Sequence, residues 1–380
     1  MTFYEKAPVS TFLTPLTQIN PDDHVRVWQA VSVLKDLQKE LDARPTAPTP
    51  IPIHHKISAR LLYSMMDYAP SLKARNHVAE QILSFNWSDP AEHSQQLVSF
   101  STYIYFCLIQ PLKLHQAMTP APSNIPSHIS STQSRNEIAR YLSPGKRFSV
   151  KAKALQRDNY RCLVTGDIDR SSIRDKKISL DDGANSLPTE AAHIIPFHLV
   201  DFKRNPSTPK AEKSTANLGQ DPEQANSKIK RAAAFWDIVS WFGNIDLEGL
   251  NGPNINRLDN IIILSQSAHS YFDNLEMWLD EVPEFKNRYK VYLIPDYRLN
   301  TLKPEVQFTT SDADQLPVPN PAYLRLHAAC AKIAYMSGIA DIIHDLETKM
   351  EEMDVLAADG SSVDVLQYKL AAIAAAATAE

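Results

Sequence analysis

Glu190-Ala191-Ala192-His193-Ile194-Ile195-Pro196 reads as a compact apolar strand that carries a histidine near its end and is stopped by proline. A second stretch, Leu258-Asp259-Asn260-Ile261-Ile262-Ile263-Leu264, predicts a β-branched strand from Asn260 to Leu264. Ser265 then stands as the cap of a helix that runs to Leu275 and carries His269 and Asp273. The frame is strand, long loop, strand, helix, and it presents His193, Asn260 and His269 in that order.

That order suits phosphodiester hydrolysis. The reaction needs a water activated for in-line attack, and a neutral imidazole held in one orientation can take its proton near pH 7. It also needs a divalent cation to stabilise the charge that develops on phosphate and leaving oxygen. Asp273 lies four residues after His269, on the same helical face.

Three stretches together resemble the HNH endonuclease domain, the ββα-metal or His-Me finger, in the version common in fungal proteins. They are Asn159-Tyr-Arg-Cys-Leu-Val-Thr-Gly166, Glu190-Ala-Ala-His-Ile-Ile-Pro196, and Leu258-Asp-Asn-Ile-Ile-Ile-Leu264 followed by His269-Ser-Tyr-Phe-Asp273. Pro319 to Gly338 also resembles the segment that trails such domains. The resemblance covers about residues 140–340 and leaves the first 130 unassigned.

It implies that His193 is the general base, that Asn260 fixes the geometry of the long loop, and that His269 binds the metal. Asp273 is then a second ligand, an orienter of His269 or a surface acid. Many such sites place Asp or His immediately before the base; here that position is Ala192, which cannot ligate. Side chains alternate along a strand, so Glu190 shares the face of Ala192 and is the candidate for the missing carboxylate. Magnesium is the expected ion, with manganese, zinc and nickel able to occupy such a donor set. The zinc-bracing cysteine pairs of some HNH domains are absent.

Charge adds one element. The chain carries −5 overall, and the acidity belongs to residues 301–380, with 5 basic against 12 acidic groups. Between Lys146 and Arg161, by contrast, Lys146, Arg147, Lys151, Lys153, Arg157 and Arg161 face one acid, Asp158. Such a run is usually a solvated face, but beside a nuclease site it is a candidate track for the phosphates of a nucleic acid, DNA by expectation.

Outside that block the texture is helical. Only 9 of 380 residues are glycine, none before Gly145, which excludes collagen-like and Gly-rich nucleotide-cradling architectures. Helices are predicted over His24–Leu41, Ile57–Tyr68, Lys73–Phe85 and His93–Leu114, with a proline-rich connector at Arg44–Pro52 and a Pro/Ser/Thr-rich linker at Ala117–Ser134. Short and longer helices follow at Asn136–Leu142 and Phe148–Asp158, and a short strand at Arg161–Thr165. Asp167–Leu187 reads as polar loop or hairpin and Asp201–Arg231 as a surface insertion. Ala232–Phe242 is an amphipathic helix, either packing or part of a substrate wall. Tyr289–Ile294 is a further strand and Pro321–Leu346 a helical return, before an acidic, alanine-rich end from Met350.

The fold class expected is α+β, divided as a helical N-terminal region (1–134), an HNH-like domain (135–300) and a helical C-terminal segment (301–380). Three scattered cysteines, Cys107, Cys162 and Cys330, argue against a disulfide framework and for a reducing compartment. No signal peptide and no membrane span is legible, so an intracellular protein, nuclear or cytoplasmic, is expected. The N-terminal helices are the candidate surface for a homo-oligomer or protein partner. The alternative reading, suggested by Ala192 and the modest charge, is a catalytically silent HNH-derived module that binds nucleic acid or protein.

Overall fold

The computed structural model describes residues 11–43, 57–85, 88–113, 144–181, 183–196, 222–246, 250, 252–342 and 344–345, with the side chains of 144–149, 222–229 and 252–253 excepted. The Arg44–Pro52 connector, the Ala117–Ser134 linker, the Asn136–Leu142 helix, most of the Asp201–Arg231 insertion and the acidic end lie outside the described residues. So do the side chains of Lys146 and Arg147. Among the described residues no helix is long and apolar enough to cross a membrane.

The fold is α+β. Its elements in chain order are helices α1 (Val25–Ala43), α2 (Ser58–Asp67), α3 (Leu72–Ser84), α4 (Pro90–Ile104) and α5 (Pro144–Arg157), then strand β1 (Ile168–Asp169), the short helix α6 (Arg170–Arg174), and strands β2 (Ser186–Leu187) and β3 (Thr189–His193). Helix α7 (Pro222–Gly243), strand β4 (Ile261–Ser265), helix α8 (Gln266–Asp273), strands β5 (Met277–Glu281), β6 (Arg288–Leu293) and β7 (Glu305–Gln307), and helix α9 (Pro321–Ser337) follow.

Packing divides the chain into two compact units interleaved in sequence. One comprises Met1–Pro111, His198–Gly252 and Ala328–Glu380, the other Leu112–Phe197 and Pro253–His327. Chain order and packing therefore follow different lines.

The first unit is helical. Buried Val27, Ala30, Val31, Leu34, Leu37 and Leu41 recur at helical spacing and give α1 one apolar face, packed on α2 and α3. Ser71 caps α3 by accepting from Ala74 N at 3.1 Å, and Asp89 caps α4 through Ala91 N at 2.8 Å. Helix α4 runs into a π turn, Tyr105–Ile109, every residue of which is buried. Helix α7 packs on α3 and on that turn. Its Phe235, Ile238, Val239 and Phe242 are fully buried, and Trp241 lies against His77 with ring centroids 4.5 Å apart. The aromatic helix is core of the helical unit.

The second unit is built on the antiparallel pair β3–β4, registered from Thr189 opposite Ser265 to His193 opposite Ile261. Every residue of β4 is buried, so helices cover both faces. Ala154 and Leu155 of α5 form a core with Ile261 and Ile263, while α8 packs on β3 and β4. The sheet β5–β6–β7 is antiparallel and stands next along the chain, with Trp278 stacked on Tyr292. His327 of α9 stacks on Phe272 of α8 at 3.7 Å between ring centroids.

The predicted strand at Arg161–Thr165 is instead a tight turn. Gly166 N donates to Cys162 O and Cys162 N to Asp167 O, each at 2.8 Å, and Arg161 keeps only an isolated bridge to Ile168. Gly166 has a φ of +81°, the left-handed backbone that favours glycine; the nearby end of the Lys303 side chain is free to shift. Asp167–Leu187 forms a short parallel pair, β1 with β2, rather than a hairpin. Asp169 fixes it by accepting from Ser172 N at 2.8 Å, and reaches Thr189 Oγ1 at 2.7 Å at the start of β3.

Arg157 corrects the expectation of a six-residue basic track. It is 2% exposed, donates to both Asp158 oxygens at 2.7 and 2.8 Å, and reaches the carbonyls of Leu258, Ile261 and Pro317. Asp158 in turn accepts from Ile263 N at 3.2 Å. A guanidinium on the inward face of α5, beside Ala154, meets carbonyls instead of phosphates. This buried pair ties the end of α5 to β4 and to the chain before α9.

Candidate functional site

The site lies along β3, from Glu190, which faces α8, to His193 at the strand's end. Asn260 closes the loop between β3 and β4. Its side chain is fully buried; Oδ1 accepts from Ile195 N at 2.8 Å, and Nδ2 donates to Ile195 O and Ile255 O at 3.0 Å each. Its backbone carbonyl accepts from Ile194 N at 2.9 Å. The side chain spends its bonds on backbone, so Asn260 shapes the site without facing a substrate.

His193 is the last residue of β3 and partly exposed. Its Nε2 lies 3.0 Å from Asn256 Oδ1. An amide oxygen accepts, so Nε2 carries the proton and the lone pair of the neutral ring lies on Nδ1. Burial holds the imidazole below its usual pKa, the Asn256 bond opposes this, the charge of His269 lowers it further and that of Asp273 raises it. The balance leaves a neutral ring at pH 7, the form a general base needs. Asn256 escaped the sequence reading: it sits in a single 3-10 turn, Gly252–Asn256, within an Asn-rich stretch where no periodicity singles it out.

Glu190, His269 and Asp273 do converge. Glu190 Oε2 lies 2.7 Å from His269 Nδ1, and Asp273 Oδ2 lies 3.1 Å from His269 Nε2. Glu190 faces α8 from β3, and Gln266 Nε2 also donates to its Oε1 at 3.2 Å. Burial disfavours the imidazolium of His269, but hydrogen bonds and charge from Asp273 and Glu190 outweigh it and raise the pKa to about 9. Side-chain exposures of 20%, 29% and 12% for His269, Glu190 and Asp273 leave the cluster reachable from solvent.

Among the described residues no three His, Cys, Asp or Glu side chains stand as a finished metal cage. The reason is visible in the contacts: the two carboxylates occupy opposite edges of one ring. The donor types nevertheless fit a divalent ion. Asp273 Oδ1 is buried with no hydrogen-bond partner, a costly state for a carboxylate oxygen that a cation would relieve.

The rest of the basic run is dispersed. Lys151 Nζ donates to Thr189 O at 2.5 Å and tethers the start of β3. Arg161 pairs with Asp181 and donates to Gly166 O at 3.1 Å. Lys153 is exposed on α5. Ala192 is fully buried, opposite Ile262.

Residues 162–280 match the family model described as HNH endonuclease, a span that contains Glu190, His193, Asn260, His269 and Asp273. The likeness to HNH endonucleases is thus that of this segment, under a third of the chain. No curated protein and no solved structure matches the chain.

Proposed function

We propose that this chain is a divalent-metal-dependent endonuclease that hydrolyses phosphodiester bonds in DNA. The observation that carries the reading is a histidine in the neutral form at the end of β3, on the strand whose Glu190 builds an imidazole–carboxylate cluster with α8. His193 Nδ1 takes the proton of the attacking water while Asn256 holds the ring through Nε2. Asn260 keeps β3 and the start of β4 at the spacing this requires. His269, with a carboxylate from Asp273 or Glu190, holds the ion. When bound, a divalent cation, magnesium above manganese, zinc or nickel, supplies Lewis-acid stabilisation of the phosphate and of the leaving oxygen. Lys153 is the described residue of the run left to meet neighbouring phosphates, with Lys146 and Arg147 as further candidates and Arg161 only if it leaves Asp181.

Plasmid nicking in Mg²⁺ or Mn²⁺, comparing the wild type with His193→Ala, tests the proposal. Cleavage that depends on added metal and falls by about 10²-fold or more in the variant supports it. Cleavage that survives the substitution, or none with any metal, overturns it.

A second reading is favoured by one observation. The position before the base is Ala192, buried and without a donor atom. A silent HNH-derived module would bind nucleic acid with a steep salt dependence and cleave nothing; an interaction scaffold, engaging partners or a second copy through the N-terminal helices, would show no salt-dependent binding at all.

A further inference from the structure

We infer that Glu190 is a positioning residue rather than a metal ligand, and that the metal-binding face of the site is the Nε2–Asp273 edge of His269. The inference deepens the nuclease reading and rests on it for the presence of a metal; it decides between the two carboxylates that the reading leaves open.

The argument begins with the geometry of one ring. Imidazole nitrogens point to opposite sides, and here each meets a carboxylate: Nδ1 meets Glu190 at 2.7 Å and Nε2 meets Asp273 at 3.1 Å. An ion takes a nitrogen lone pair in the ring plane, so it can sit on one edge only. The carboxylate on that edge can join it; the one on the other edge accepts the remaining N–H and fixes the ring.

Two observations choose the edge. First, the two carboxylates are unequally engaged. Glu190 has both oxygens committed, Oε2 to His269 and Oε1 to Gln266 Nε2 at 3.2 Å. Asp273 has Oδ2 on the ring and Oδ1 buried with no partner. A carboxylate with a donor on each oxygen is already anchored as a holder, and one with an orphaned buried oxygen has ligand capacity to give. Second, His269 and Asp273 stand four residues apart on α8, so a rigid helical turn presents both to one point. Glu190 comes from β3, across the sheet edge.

Gln266 then has a role. It stands at the first position of α8, exposed, and its amide holds the far oxygen of Glu190. The chain Gln266–Glu190–His269 fixes the imidazole with Nδ1 protonated, which leaves Nε2 as the lone-pair nitrogen once its proton is lost.

The test measures metal affinity and ring chemistry in the full chain, apart from cleavage. Mn²⁺ titrations compare the wild type with Glu190→Gln, Gln266→Ala and Asp273→Asn, and ¹⁵N NMR of the Zn²⁺-loaded protein reports which nitrogen of His269 carries the metal. Expected are a metal-shifted Nε2 with a protonated Nδ1, and a loss of about tenfold or less in Glu190→Gln, whose amide oxygen still accepts from Nδ1–H. Asp273→Asn is expected to lose about 100-fold or more. Gln266→Ala weakens binding a few-fold on this assignment. Were Glu190 a ligand, freeing its second oxygen would leave affinity unchanged or raise it.

Zinc on Nδ1, or Glu190→Gln as damaging as Asp273→Asn, overturns the assignment. A wild type that binds Mn²⁺ on the Nε2 edge yet never cleaves would leave the assignment standing and remove the nuclease reading. A wild type that binds no divalent ion would remove both.

Discussion

His193 Nε2 and Asn256 Oδ1 lie 3.0 Å apart, and that contact decides which nitrogen of the base holds the proton. Replacing Asn256 by alanine removes the acceptor and lets the ring exchange tautomers and rotate. The expected result is a fall in kcat of about 10- to 100-fold at nearly constant KM, because the bond orients a base instead of binding substrate. Asn256→Asp separates orientation from charge. A carboxylate on Nε2–H retains the tautomer but stabilises the imidazolium and raises the pKa of the base. The acid limb of the rate profile should move to higher pH, with the rate partly restored above it. A purely structural role for Asn256 would lower the protein's stability in both variants and leave the limb where it is.

Asn260 makes a different prediction, because its partners are all backbone. Asn260→Ala leaves Ile195 N, Ile195 O and Ile255 O without their partners in a buried region. Each unmade buried bond costs about 1–3 kcal/mol, so a loss of about 3 kcal/mol or more is expected in urea unfolding. Activity should fall with the folded fraction and with the distortion of β3. Asn260→Asp keeps the acceptor toward Ile195 N but turns a carboxylate oxygen on the carbonyls of Ile195 and Ile255 in a buried site, so it is expected to cost at least as much as alanine.

These two asparagines mark what the sequence disclosed and what it hid. Asn260 was legible through its place before a β-branched run and between His193 and His269 in chain order; alone it read equally as a turn or cap residue. The alternation of β3 put Glu190 on the face of Ala192, and only the packing of α8 shows that His269 meets it there. Asn256 was not legible, since its role depends on a turn that only the closed loop creates. Nor was the fate of the aromatic helix: Phe235, Trp236 and Trp241 declare an apolar face but not which surface covers it, and the cover is α3 with the π turn, more than a hundred residues upstream. The basic run misled in one place. Charge density along a sequence says nothing of helix phase, and Arg157 falls on the inward side of α5.

Arg157 therefore separates from the other basic residues in a measurement. Arg157→Met removes one half of a buried pair and leaves Asp158 uncompensated beside Ile263, a change expected to cost about 3–5 kcal/mol. Lys153→Ala should leave stability within about 0.5 kcal/mol. In salt titrations of DNA binding, Lys153→Ala is expected to reduce the slope of log affinity against log salt by about 1, as the loss of one phosphate contact requires. An unchanged slope for Lys153→Ala would take α5 off the nucleic-acid face.

His327 gives a pH dependence of stability whose sign is fixed by burial. The ring is 2% exposed, stacks on Phe272, and donates from Nε2 to Phe272 O at 3.0 Å. Burial holds its pKa near 4, against 6.5 when unfolded, and the hydrogen bond recovers only part of that. The folded state keeps the ring neutral while the unfolded chain takes up a proton below pH 6.5. Stability from this group is thus complete above that pH and is lost as pH falls from 6.5 toward 4, by at most about 3 kcal/mol. His327→Gln removes the titration. Its unfolding free energy should start lower than that of the wild type at pH 7.5, for want of the stacked ring, and fall less steeply between pH 6.5 and 4.5. Parallel curves for the two proteins across that interval would show that His327 titrates alike folded and unfolded, and that the packing of α9 on Phe272 opens to solvent.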